Sequence, residues 1–206
     1  ISDEAGTAAT AANCIDTTGV TDDGADSSFT INIPPSAGGS GFEGVAITIL
    51  LDDSAADGAA AAAGANTIAI GQGTTNDADL AADIIDAING TTNGQVAFAT
   101  SGNGQAGVPG VTASVGSSGS TFITLTMDAA GEQGNVAAAL ATASGTNVVK
   151  VANFTGGTDD GTTHTTSFNF DRNSSKYIRK VFNTNPQLLN GRATTHTDAA
   201  EVKNLA

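Results

Sequence analysis

Apolar residues repeat at helical spacing most clearly in residues 74–90, TTNDADLAADIIDAING. Leu80, Ile84 and Ile88 recur every four positions with Ile85 beside them, so one stripe of a helix faces a core. Thr75 or Asn76 suits the N-cap. Asp77 and Asp79 put carboxylates in the first turn, where unpaired amides and the macrodipole favour them. Gly90 stands where a left-handed residue ends a helix. This helix is the element around which the remaining pattern is organised.

The other patterned stretches read as strands. Residues 28–33 (SFTINI) alternate Phe29, Ile31 and Ile33 on one face, and Pro34 and Pro35 end the run. Residues 44–51 (GVAITILL) are continuously apolar and rich in β-branched residues, which predicts a central strand. Short strands flank the helix in NTIAIG (66–71) and QVAFAT (95–100), and residues 101–109 form a loop. Strands at 111–115 and 121–127 around GSSGS predict a hairpin. Residues 136–143, mostly alanine, read as a weak second helix, and NVVKVANF (147–154) as the strand that closes the sheet. Residues 52–65 are a polar, alanine-rich excursion with a short irregular helix.

The expected fold is α+β: a β-rich mixed sheet with one main helix packed on it, followed by a small C-terminal strand–helix segment. Residues 1–27 read as an acidic arm or linker, 28–158 as the α+β module, and 159–206 as the start of a second, basic segment. In that segment TTSFNF (165–170) alternates like a strand. SSKYIRKVF (174–182) suits a short helix capped by Asn173 or Ser174 and stopped before Pro186.

Composition sharpens this picture. The 26 glycines and 4% aromatic content in 206 residues indicate a lightly packed, turn-rich β protein. The net charge of −14 is unevenly spread: the seven basic residues all lie at or after Lys150, and 16 of the 21 acids precede it. Such an acidic body repels nucleic acid and anionic membranes, so neither is expected as a partner. Cys14 is the single cysteine, which excludes an internal disulfide and reads as an incidental thiol. No basic residue precedes an apolar core as in a signal peptide, and Asp57, Gly58 and Gly64 interrupt the alanine-rich run at 55–65. Ile1 in place of Met, and Ala206 inside a helical pattern opened by Asp198 and Glu201, read as cut ends of a longer polypeptide.

Candidate chemistry is sparse. His164 and His196 sit in Thr-rich segments without ligand spacing. Asp22, Asp23 and Asp26, and Asp159 with Asp160, gather hard oxygens but lack the EF-hand pattern. A calcium-dependent enzyme or adhesin would need the first of these clusters to bind metal. Asp83 and Asp86 belong to the solvated face of the helix. Gly102, Gly104 and Gly107 spell GxGxxG, yet Val108-Pro109-Gly110 follows instead of a helix. Sequons at Asn89, Asn153 and Asn173 are expected by chance in so Thr-rich a protein. No catalytic, cofactor-binding or metal-binding residue is assigned, and a non-enzymatic role without a cofactor is expected. One electrostatic feature stands apart: Lys176, Arg179 and Lys180 on a short helix beside an acidic body, suited to a subunit interface in which copies steer and register one another.

Four segments, Ile68-Ala-Ile-Gly71, residues 80–89, 123–135 and 154–159, resemble in order a small α+β module that recurs in tailed-phage virion proteins. The strand–helix part is similar to the in-motif of flagellar hook-associated proteins. KYIRKVFNTNPQLLN (176–190) resembles segments of contractile tail sheath proteins of marine T4-like myoviruses. The resemblance implies a structural subunit of a phage tail, made in the host cytoplasm and assembled with copies of itself in rings or a helical tube. Other virion proteins are further partners it implies. The same pieces suit a virion decoration module, or a cell-surface or flagellar-hook-type binding module.

Overall fold

The computed structural model describes residues 6–20, 26–35, 37, 42–53, 55, 63–72, 76–145 and 148–159. Within them the protein forms β1 (Ala8–Asp16), β2 (Ser27–Ile33), β3 (Val45–Asp52), β4 (Thr67–Gly71), α1 (Asp77–Asn89), β5 (Val96–Ala97), β6 (Val111–Gly116), β7 (Gly119–Ala130) and β8 (Leu140–Ser144). The architecture is α+β and β-rich, with one main helix. Its strands make two sheets where the sequence pattern suggests one. A five-stranded sheet has the order β5-β4-β3-β2-β8, and a three-stranded sheet the order β1-β7-β6.

The apolar patterns place the larger sheet. Phe29, Ile31 and Ile33 of β2 pair in antiparallel register with Ile49, Ile47 and Val45 of β3, and all six are buried. β3 is central, as its apolar run predicts, with β4 beside it in parallel and β5 antiparallel to β4. Ile68 and Ile70 add to the same core. α1 packs chiefly on β6 and β7 and reaches β4 and β5. Its buried residues, Leu80, Ala81, Ile84, Ala87 and Ile88, join residues of both sheets in one hydrophobic cluster. The predicted hairpin is present, with Val115 opposite Ile123 and β7 continuing to Ala130.

Three expectations are corrected. Residues 8–16 are not part of an irregular arm; they are β1 of the smaller sheet. Its Ala9, Ala11 and Cys14 are buried, but alanine and cysteine carry little of the apolar signal that announces a strand. β7 pairs with one edge of β1, and residues 149, 155 and 158 bridge to Ile15, Thr10 and Thr7. The alanine stretch at 136–143 is not a helix. Ala138 takes a positive φ of 55°, Asn32 N–H donates to the Ala139 carbonyl, and β8 then pairs with β2. Alanine's helix preference amounts to only about 0.7 kcal/mol per residue over ordinary residues and yields to an unpaired sheet edge. Of the expected strand at 147–154, the described residues 148–154 do not form a ladder strand either, although residues 148–158 do run along β1 through the isolated bridges. The expected strand at 165–170, the helix at 174–182 and most of the excursion at 52–65 lie outside the described residues.

Residues 148–158 join the two sheets. Asp16 N–H donates to Val148 O at 2.9 Å and Lys150 N–H to Cys14 O at 2.8 Å on the β1 side. Ala139 N–H donates to Ala152 O at 2.7 Å and Phe154 N–H to Val136 O at 2.8 Å on the approach to β8. Phe154 is buried in the common core. Phe154→Ala is expected to lower unfolding free energy by about 3–5 kcal/mol, measured by urea denaturation with the slope unchanged.

Candidate functional site

The start of α1 is built by Asn76, whose Oδ1 accepts from the N–H groups of Ala78 and Asp79, both at 3.1 Å. Asp77 ties the helix to the turn after β1: its Oδ2 accepts from Gly19 N–H at 3.0 Å, and its carbonyl accepts from the Thr17 hydroxyl at 2.6 Å. From the first turn onward, Asp79, Asp83 and Asp86 are spaced to follow one side of the helix. Asn93 braces the last two, its Nδ2 donating to Asp83 Oδ1 at 3.0 Å and Asp86 Oδ2 at 2.8 Å. Lys150 is the one basic residue among those described, so α1 presents an acidic stripe. Lys176, Arg179 and Lys180, the residues expected to meet the acidic body of another copy, lie outside the described residues.

The glycine string has a structural use. Gly90 ends α1 at φ 75°, with its N–H on the Asp86 carbonyl. A Cβ on Gly107 would meet Gly90 N and Ile88 O at 2.6 Å, and one on Gly90 would meet Ala106 O at 2.5 Å. Here two stretches of backbone touch, and Gly107 of the string is spent on that contact, while Gly102 and Gly104 pack closely on the side chains of Asn66 and Ile68. Beside it lies an open groove of about 410 Å3 lined by Ile88, Asn89, Val108, Thr112 and Asp128 among others. Its polar groups satisfy one another, since the Thr112 hydroxyl donates to Asp128 Oδ1 at 2.7 Å and the Asn89 carboxamide is bound to the backbone of β6.

Asparagine carboxamides act here as peptide groups, a feature the sequence pattern does not announce. Asn89 Nδ2 donates to Ala113 O at 2.9 Å while its Oδ1 accepts from Ala113 N–H at 2.7 Å. Asn135 does the same to Gly157, with Nδ2 to Gly157 O at 2.9 Å and Gly157 N–H to Oδ1 at 2.8 Å. Asp159 Oδ1 accepts from Glu132 N–H at 3.0 Å nearby. The detectable signal is an Asn at the end of a patterned element, as in AING and GEQGN.

Cys14 is fully buried in β1, and its thiol donates to Ile123 O at 3.5 Å. Burial pushes the thiol up to about 11, against a smaller opposing effect of nearby backbone groups. It has the opposite character to a nucleophile, whose thiolate must be accessible. Among the described residues no three His, Cys, Asp or Glu residues gather so as to hold a metal ion. Asp26 instead accepts from Asp53 N–H at 3.2 Å. Asp22, Asp23, Asp160, His164 and His196 lie outside the described residues. No helix among those residues is long and apolar enough to cross a membrane. In comparisons with known proteins, the sequence and fold match no family, no curated protein and no solved structure.

Two outcomes follow from this geometry. Asn135→Ala leaves the Gly157 N–H and C=O without their partners and is expected to cost about 1–3 kcal/mol by urea denaturation. For Cys14, the unfolded thiol ionises from the ordinary value of 9.0 while the folded thiol holds its proton to about 11. The contribution to stability is therefore complete below pH 9 and is lost as pH rises to 11. It amounts to roughly 3 kcal/mol at about 1.4 kcal/mol per unit. Cys14→Ala should flatten that part of the stability–pH curve, and the native thiol should react with iodoacetamide far more slowly than the unfolded one.

Proposed function

We propose that this protein is a non-enzymatic structural subunit of a phage virion, of the contractile-tail-sheath kind, that works by repeated self-association. One observation carries the reading. Two of the motifs shared with the virion module, residues 123–135 and 154–159, meet through the Asn135–Gly157 pair and the Asp159–Glu132 bond. The motifs that suggest the family are thus parts of one clasp, which supports reading them together as a module instead of as separate chance matches. The remaining two, residues 68–71 and 80–89, supply β4 and α1. In this reading the mechanism is mechanical, and shape, register and charge take the place of bond chemistry.

The interface follows from charge. Lys176, Arg179 and Lys180 of one copy dock against the acidic stripe Asp79, Asp83 and Asp86 of the next, forming a head-to-tail contact that closes into rings or continues as a tube. Negative-stain electron microscopy of the concentrated protein should show rings or tubes. The triple reversal Lys176→Glu, Arg179→Glu, Lys180→Glu should abolish them while leaving the circular dichroism spectrum unchanged. Assembly that survives the reversal removes this interface. Monodisperse small particles from the unaltered protein would favour a decoration or surface-binding module.

A further inference from the structure

Four asparagines precede glycine: Asn89, Asn93, Asn103 and Asn190, the last outside the described residues. An Asn–Gly pair carries its own reaction. The glycine peptide nitrogen attacks the carboxamide carbon of the asparagine, and a new C–N bond closes a five-membered succinimide. The carboxamide's own C–N bond breaks, and ammonia leaves with the proton from the peptide nitrogen. Water then opens the ring at either carbonyl, giving aspartate or isoaspartate. Glycine permits this because no Cβ blocks the attack. The folded protein has to supply a carboxamide free to turn, an uncommitted glycine N–H and access to water.

The three described pairs differ sharply in these respects. The Asn89 carboxamide is held at both ends by Ala113, and Gly90 N–H is committed to Asp86 O. The Asn93 carboxamide makes four bonds: its Oδ1 accepts from Gln95 and Val96 N–H, and its Nδ2 donates to Asp83 and Asp86. Asn103 is exposed. Its backbone N–H donates to Asn66 Oδ1 at 2.7 Å, but among the described residues no hydrogen bond holds its carboxamide. Gly104, buried behind it, uses its carbonyl, which accepts from Ala99 N–H at 3.0 Å; no described group accepts from its N–H.

We propose that Asn103–Gly104 is a self-modification site, where the folded protein converts asparagine to aspartate and isoaspartate while Asn89 and Asn93 are kept intact. The isoaspartate product adds one backbone carbon between Asn66, which holds residue 103, and Ala99, which holds residue 104. It therefore loosens the loop that closes the β4–β5 end of the larger sheet and adds a carboxylate to an already acidic body. This inference stands apart from the proposed assembly.

The test is a timed incubation of the full-length protein in mildly alkaline buffer at physiological temperature, native and in urea in parallel. Peptide mapping by mass spectrometry reads the amide-to-acid mass change at each site. In urea the three sites should convert at similar rates. In the native protein Asn103 should keep its unfolded rate, and Asn89 and Asn93 should slow by roughly tenfold or more, the factor that breaking even one hydrogen bond imposes. Asn103→Gln, whose extra methylene demands a six-membered ring that forms far less readily, should remove the native charge gain seen on isoelectric focusing. A native Asn103 as slow as the other two, or all three unchanged from urea, overturns the proposal.

Discussion

The fold depends on satisfying backbone hydrogen bonds in places where regular ladders run out. With 4% aromatic residues and 26 glycines, the protein has few large residues to fasten irregular segments by apolar area alone. Each buried peptide group left unpaired costs on the order of 1–3 kcal/mol, so the segments between strands must find partners. Asparagine provides them. Its carboxamide offers the same donor and acceptor as a peptide group, and Asn89 and Asn135 each pair with both groups of one residue. Asn89 thereby ties the end of α1 to β6, and Asn135 fixes the segment that flanks β1. Carboxylates contribute in the same way, since Asp26, Asp77 and Asp159 each accept from a backbone N–H.

This also explains which parts of the fold were legible in the sequence. α1, β2, β3 and the β6–β7 hairpin announce themselves through periodic large apolar residues, and α1 begins at Asn76 and ends at Gly90 as its capping residues predict. β1 and β8 do not, because AATAANCID and LATAS consist mostly of small residues whose conformation is decided by neighbours. β8 becomes a strand because β2 offers an edge; β1 becomes one because β7 and residues 148–158 flank it. Neither cause is local, and no window of sequence contains it. The division into two sheets has the same origin, since it depends on β1, not β5 or β8, being the strand beside β7.

The site was legible to a lesser degree. The acidic residues of α1 were visible as a solvated face, and the GxGxxG letters were visible too. The reason for the glycines was not, since Gly107 meets Gly90 across a long stretch of intervening sequence. Likewise the proximity of GEQGN to FTGGTD joins two motifs that spacing alone leaves separate. The Lys176, Arg179 and Lys180 cluster was readable as charge, and it lies outside the described residues.

Charge segregation constrains how the proposed assembly would work. At about 0.15 M salt the Debye length is about 8 Å, so carboxylates on the body interact with distant cations weakly. Two unit charges about 4 Å apart at a wet surface gain only about 1–4 kcal/mol before the cost of ordering both residues is subtracted. Three basic residues cannot by themselves hold a subunit in a ring. Their effect would lie in approach and register: an acidic body repels its copies least in the orientation that brings Lys176, Arg179 and Lys180 to the stripe. Lasting cohesion must then come from apolar contact or backbone pairing made after docking. A sheath subunit built this way would assemble quickly at low salt and slowly at high salt, with a final stability much less sensitive to salt than its rate.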